Sequence, residues 1–460
     1  MSILYRIIAS SLLACSLAAF SLAQEEARGV LVNDEQALDG YTFIAPRHNS
    51  EAYVITNDGR VVNEWDFGAL TREIHLLENG NILVVKSPQF ELDKSFIDLG
   101  YGGDGALAEY TWDGELLWEY NFLDPKRRHH HGIDILPNGN ILALAWDYHH
   151  LDEAVARGLH PDIAATSFEE LDSFLPDTVL ELNPASGEVV WEWQAWDHLI
   201  QNVDENLPNF GLPAANPQRI DINYEQYFLK DIPTDWSAGP HDWMHSNMVN
   251  YSPELDQIVI SVLRFDEMWI FSHSGTAEET AGPAGDLLYR WGNPFAYGGG
   301  DIVDDRQLFQ QHDAQWIDEG LPGAGNILIY NNRNNVLRED MVAEDEYSSI
   351  LEIKPPLRED GSYEWNVEPE IVWMYDRGFY SQFISGVQRL PNGNTLITEG
   401  VPGRLIEVSD AGDVVWEYVL PLDLEQKWIF RARKYPADHP GFAGKDLTPD
   451  RLLGVTAGGE

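Results

Sequence analysis

Cysteine is almost absent: one residue in 460, Cys15, and it lies in an apolar N-terminal stretch. The rest of the chain therefore has no disulfide, no thiolate metal site and no cysteine nucleophile. Positive charge is also scarce, with 29 Lys and Arg against 76 Asp and Glu, a formal net charge of −47. A surface of that sign repels nucleic acid and anionic membranes, which excludes both as partners. An anionic small molecule must find a locally positive pocket in an otherwise hostile field. Helical signals are weak. What is plentiful is apolar and aromatic material, 44% and 12% of the residues, enough for a large buried core and too much for a disordered chain.

The N-terminus has the layout of a processing signal. Arg6 provides a positive n-region, residues 7–22 are nearly all apolar or small, and Ser21-Leu22-Ala23 is a small-x-small cleavage site. A spanning anchor needs about 20 apolar residues and different flanks. Residues 1–23 are therefore expected to be a signal peptide cleaved near Ala23, giving an exported protein, periplasmic or extracellular, without stable membrane insertion. Leu12-Leu13-Ala14-Cys15 also has the form of a lipoprotein box, but the apolar run continues past Cys15.

A phrase Gly-x-φ-φ-Trp-x-aromatic recurs, with variation, six times. It begins at Gly59, Gly114, Gly187, Gly285, Pro369 and Gly412; Gly114-Glu115-Leu116-Leu117-Trp118-Glu119-Tyr120 is representative. Short strands and turns such as Asn57-Asp58-Gly59 precede it, a hairpin signal. A second phrase, Leu-Pro-Asn-Gly-Asn-φ-Leu, stands upstream at Leu136 and Leu390, with looser versions at Leu77 and Leu321. Two hairpins per unit make a four-stranded antiparallel meander, too small to bury its own faces. Six such units packed radially predict an all-β, six-bladed β-propeller of four-stranded antiparallel blades over residues 28–436, with 437–460 as a C-terminal extension. The phrase tryptophans are expected to pack blade against blade. Inserted loops around Phe168 to Phe174 and Ile200 to Leu207 are expected to flank the third blade as a lid.

Counting back from the Asn-Gly-Asn turn aligns one position per unit. Seven residues before the first Asn stand Arg72, His131 and Ser385. Pattern alone places His245 and His312 in the same column in the two divergent units. A position at the start of an innermost strand faces the central channel, where packing favours Val, Ala or Ile. Arg, His, His, His and Ser instead supply donors for an anion or an acceptor for a transferred group. Asn247 shares a strand face with His245, Arg264 follows on the next strand, and Asp313 stands beside His312, where it either orients the imidazole or caps a turn. Such a set suits a tetrahedral oxyanion, and a histidine in it can act as nucleophile. No cofactor or metal is required.

The ordered residues Asp242-Trp243-Met244-His245-Ser246-Asn247, Arg264, Gln311-His312-Asp313 and Ser385 to Asn394 resemble the arylsulfotransferase (aryl-sulfate sulfotransferase) family. Asp39-Gly40-Tyr41-Thr42 and Phe430 to Tyr435 extend the likeness over nearly the whole chain after the leader. The resemblance implies an enzyme that moves a sulfuryl group from an aryl sulfate ester to a phenol by a ping-pong route, independent of 3′-phosphoadenylyl sulfate. It implies that His312 is the transiently sulfurylated nucleophile, that His245, Asn247 and Arg264 hold the sulfuryl oxygens, and that His131 assists. Ser385 matches a small hydroxyl residue of the family; Arg72 matches no family role but is a substrate-binding candidate from its place in the column. The family's bacterial members carry an extra N-terminal β-domain and a disulfide, for which this chain has no room. Other readings of the same residues are a three-His metal site, a propeller that only captures a sulfated ligand, and a quinoprotein, which six repeats disfavour.

Overall fold

The computed structural model describes residues 28–87, 105–122, 124, 126–165, 172–224, 242–334, 346–365, 367–422 and 427–454. The expected leader and part of the expected lid, residues 168–171, lie outside the described residues.

Six small antiparallel sheets form a ring, a six-bladed β-propeller. From the axis outward, blade 2 runs Thr71–Leu76, Ile82–Lys86, Ala106–Tyr110 and Leu116–Asn121. Blade 3 is Arg127–Ile135, Ile141–Asp147, Asp177–Asn183 and Glu188–Gln194, and blade 4 is Ser246–Ser252, Gln257–Val262, Glu267–Ser272 and Tyr289–Trp291. Blade 5 is His312–Trp316, Ile327–Asn331, Ser349–Lys354 and Glu370–Tyr375. Blade 6 is Gly386–Arg389, Thr395–Glu399, Arg404–Val408 and Val414–Val419, and it gains a fifth strand, Gly29–Asn33, on its outer edge.

Blade 1 closes the ring. Its outer three strands, Gly40–Ile44, Glu51–Thr56 and Val61–Asp66, come from the start of the chain, but the innermost is Arg433–Pro436 from the far end. Hydrogen bonding between the two ends of the sequence thus completes blade 1 and closes the ring. The expected C-terminal extension takes part: Val61 N donates to Arg451 O and Asp450 N to Val61 O, both at 2.8 Å, covering the outer edge of blade 1.

Both sequence phrases have a structural cause. Gly80, Gly139 and Gly393 sit at φ of 81°, 83° and 91°, the left-handed region that the tight turn demands. The last Asn of the phrase then reaches a glutamate on the third strand of its own blade: Asn81 to Glu109, Asn326 to Glu352 and Asn394 to Glu407, each at 2.6 Å, and Asn140 to Glu181. The tryptophans tie neighbouring blades. The indole N–H groups of Trp65, Trp193 and Trp416 donate at 2.8 Å to Trp112 O, Gly285 O and Asn57 O, and Trp373 donates to Asp410 O at 3.0 Å. Of the expected lid, Ser173–Phe174 is a short strand paired with His149–His150, and the insertion's helical turn is Leu151–Ala156. In the stretch 200–207, Leu199–Ile200 pairs in parallel with Ile220–Asp221.

Candidate active site

Four innermost strands break register at the same end. The irregularity falls at Arg72 in blade 2, across residues 130–132 in blade 3, at Asn247 in blade 4 and across Asp313 and Ala314 in blade 5. A bulge re-aims the side chains around it. The backbone is left-handed at His131 (φ 58°), His245 (φ 50°), Asp313 (φ 58°) and, entering blade 6, Ser385 (φ 99°). Such a conformation costs a non-glycine residue about 1–3 kcal/mol and survives only where the surrounding structure enforces it.

These bulges bring the aligned column together. The His131 and His245 rings lie edge to face, centroids 4.4 Å apart at 73°. His131 is buried, and burial together with the nearby charges of His245, His130, Arg72 and His312 pushes it well below the ordinary imidazole range. Burial likewise pushes His312 down to about 3, a fall that Asn332 opposes and His245 reinforces. Both rings are neutral near pH 7. Phe430 floors the group, with the Arg72 guanidinium carbon 5.0 Å from its centroid and the His131 centroid 6.0 Å away. The blade 1 inner strand, which no Leu-Pro-Asn-Gly-Asn phrase marks, follows directly from Phe430 and Arg431.

His312 has a defined tautomer. Its Nδ1 is 2.7 Å from Asn332 Oδ1 and 3.2 Å from Gln310 O. The Asn332 amide cannot be reversed, because its Nδ2 donates to Ser381 O at 2.9 Å and Ile384 O at 2.8 Å. Two acceptors therefore face Nδ1, which must carry the proton, and the lone pair is on Nε2. Asp313 does not orient the neighbouring His312, contrary to one expectation from the sequence. The left-handed turn sends that carboxylate the other way, to Val387 N at 2.7 Å, Gln315 Nε2 at 2.9 Å and Arg431 Nε at 2.9 Å.

His245 is backed by a carboxylate: Nδ1 bonds Asp242 Oδ2, while Trp146 Nε1 donates to Asp242 Oδ1 at 2.8 Å. Burial opposes ionisation of Asp242, but His245 and Arg264 outweigh it and hold the acid well below the usual range. Arg264 is buried, its backbone N–H donating to Met244 O at 3.1 Å and its guanidinium in the field of Asp242 and Asp177. The Asn247 amide bridges to blade 5, donating to Gln311 O at 2.8 Å and accepting from Asp313 N at 3.4 Å. Ser385 Oγ accepts from Gly400 N at 3.0 Å. Asn247 and Ser385 thus brace the loops that carry His312 and the blade 6 entry.

Among the described residues no group of three or more His, Cys, Asp or Glu is arranged to hold a metal ion, and no helix is long and apolar enough to cross a membrane.

The family model described as arylsulfotransferase (ASST) matches residues 30–431. The chain belongs to the arylsulfotransferase family. Its membership supports aryl sulfotransferase activity in general and implies small aryl sulfates and phenols as substrates. No curated protein matches this chain. Solved structures that resemble it include a Bacteroides caccae protein of unknown function at 13% identity, covering 86% of this chain and 98% of that one with a TM-score of 0.45. AztD from Citrobacter koseri is similar at 8% identity, 87% and 100% coverage and a TM-score of 0.37. Virginiamycin B lyase from Staphylococcus aureus is similar at 9%, 85% and 88%, with a TM-score of 0.35.

In this ASST-family chain, the site gathers buried arginines beside buried carboxylates. Arg72, Arg264 and Arg431 are buried around the histidines, although Arg431 is already committed to Glu73 at 3.1 Å and to Asp313. Four residues there had no reading as site members in the sequence alone: Asn332, Asp177, Arg431 and Glu73. Asn332 sits in an Asn-rich strand end with no distinguishing signal. Asp242 did carry one, since it stands three positions before His245 and a turn at that spacing brings the side chains together.

Proposed function

We propose that the protein is an exported aryl-sulfate sulfotransferase that works by a ping-pong route through a sulfurylated His312. The observation that carries this reading is the pairing of His312 Nδ1 with the anchored Asn332 carbonyl, which leaves Nε2 unprotonated. An unprotonated, oriented imidazole nitrogen is what nucleophilic catalysis asks of a histidine. In the first half-reaction Nε2 attacks the ester sulfur, the N–S bond forms, and the S–O bond breaks with its electron pair leaving on the phenolate. In the second, a phenol oxygen attacks the same sulfur, the N–S pair returns to Nε2, and the phenol proton is lost to a base.

Sulfuryl transfer is loose and dissociative, so positioning and charge stabilisation make up most of the catalysis. His245, oriented by Asp242, and Arg264 stabilise the sulfuryl oxygens with charge-assisted hydrogen bonds. Asn247 acts by holding the backbone beside His312, and Ser385 by fixing the blade 6 entry. Arg72, set against Phe430, attracts the anionic donor. Export follows from the leader in residues 1–23.

Intact-mass measurement after mixing the protein with 4-nitrophenyl sulfate, without acceptor, tests the reading. The expected result is one added SO3 group on His312 and its absence in His312→Ala. Turnover without any adduct, or an adduct that persists in His312→Ala, would overturn it.

A further inference from the structure

Blade 3 alone precedes its column residue with a second ionisable side chain. The residues before Arg72, His245, His312 and Ser385 are Thr71, Met244, Gln311 and Ile384, whereas His130 precedes His131. His130 is fully buried, its ring stacked on Trp146 with centroids 4.4 Å apart at 16°. Its Nδ1 is 2.8 Å from His131 Nδ1, and its Nε2 is 3.3 Å from Asp177 Oδ1. Asp177 is buried too, and its Oδ2 accepts from Ser246 N at 2.8 Å.

The proton order follows from the two ends. A carboxylate only accepts, so the proton between the two groups is on His130 Nε2, facing Asp177, and the lone pair of that imidazole is on Nδ1. His131 must then donate from Nδ1, which leaves the lone pair on Nε2. The 3.3 Å contact is an ion-pair distance without hydrogen-bond alignment, and catalytic contacts are often long or poorly aligned before substrate arrives. We propose that Asp177 and His130 are positioning residues that present His131 Nε2 as the proton acceptor for the incoming phenol. The inference rests on the sulfurylated-histidine reading and adds its missing base.

In the second half-reaction His131 Nε2 takes the proton of the acceptor hydroxyl as the oxygen–sulfur bond forms and the N–S bond of sulfo-His312 breaks. The positive charge on His131 is stabilised through Nδ1–H to His130 and onward to Asp177. The next leaving phenolate takes that proton from Nε2, so the cycle conserves protons. Arg72, His245 and His312 face His131 and oppose its protonation. His129 and Asp242 are the further ionisable groups in the field of His130, and Arg264 lies in the field of Asp177. Asp177, behind His130, is the carboxylate that stabilises a proton on His131 against the charge of Arg72.

His130→Phe keeps a ring on Trp146 and removes both nitrogens. Rapid mixing with 4-nitrophenyl sulfate reads the first half-reaction as phenolate release, and adduct loss on adding phenols of graded acidity reads the second. We expect the second step to slow by about 100-fold more than the first, the scale of a general base, for weakly acidic phenols only. Acidic phenols, which arrive already ionised, should be spared. Equal slowing for all acceptors, or none, would overturn the relay while leaving sulfo-His312 standing. Absence of the adduct in the wild type would remove both. If the variant does not fold, ¹⁵N spectra of histidine-labelled wild-type protein decide: a proton on His131 Nδ1 supports the relay, and one on Nε2 overturns it.

Discussion

Asn332 Oδ1 accepts from His312 Nδ1 at 2.7 Å, a contact between a strand end and the start of the innermost strand of the same blade. The amide is itself pinned by Ser381 O and Ile384 O at the entry to blade 6. The choice of ring nitrogen is therefore made by the junction of two blades.

Replacing Asn332 with Ala frees the His312 tautomer. We expect the rate of phenolate release from 4-nitrophenyl sulfate to fall about 100-fold, with a smaller change in KM. Stopped-flow absorbance checks this, and thermal melting separates it from loss of the blade 5 to blade 6 contact. An unchanged rate would mean that the tautomer is set elsewhere.

His312 also makes stability pH-dependent. The unfolded imidazole binds a proton below about 6.5, whereas the folded one, pushed down to about 3 by burial, does not. Between those values the unfolded state holds more protons, so stability falls as pH falls, by at most about 1.4 kcal/mol per pH unit for this residue. His129 and His131 are shifted the same way. Melting temperatures from pH 7 to pH 4 should drop more steeply for the wild type than for His312→Gln. Parallel curves would contradict the neutral, buried imidazole.

Arg431 joins Glu73, at 3.1 Å, to Asp313, at 2.9 Å, and all three are buried. Burial pushes Glu73 up, but Arg431, His75 and Arg433 outweigh it and hold the carboxyl below its usual range. Arg431→Met leaves two buried carboxylates short of a partner, and we expect a loss of about 3–5 kcal/mol, measured by urea unfolding. A loss under about 1 kcal/mol, the scale of an exposed ion pair, would show that water reaches the network.

The two termini close the ring unequally. Arg433–Pro436 is the innermost strand of blade 1, while Gly29–Asn33 is an added strand on the rim of blade 6. Ending the chain at Ala432 should abolish the cooperative melting transition, whereas starting it at Asp34 should lower the melting temperature and leave a folded protein. Circular dichroism of the two truncations tests this; a folded protein lacking residues 433–460 would contradict the closure.

The repeats were legible in the sequence because each phrase answers a local demand. Gly80, Gly139 and Gly393 are required by φ, and Trp65, Trp193 and Trp416 by a carbonyl on the next blade. Counting back from the turn found Arg72, His131 and Ser385 for the same reason: a strand rises by a fixed length per residue. The fifth strand of blade 6 left no such mark, because pairing with a rim strand asks only for extended backbone.

The sequence by itself determined the number of blades, the acidic surface and a column of polar residues at the inner strand starts, all of which follow from periodicity and composition. Only the tertiary structure decided which nitrogens of those histidines hold lone pairs. Asn332, Asp242, Asp177 and His130 act through atoms fixed to within a few tenths of an ångström across strands and blades. The tautomer of an imidazole depends on what faces it in space, a relation that adjacency along the chain does not encode, as the turned-away carboxylate of Asp313 demonstrates.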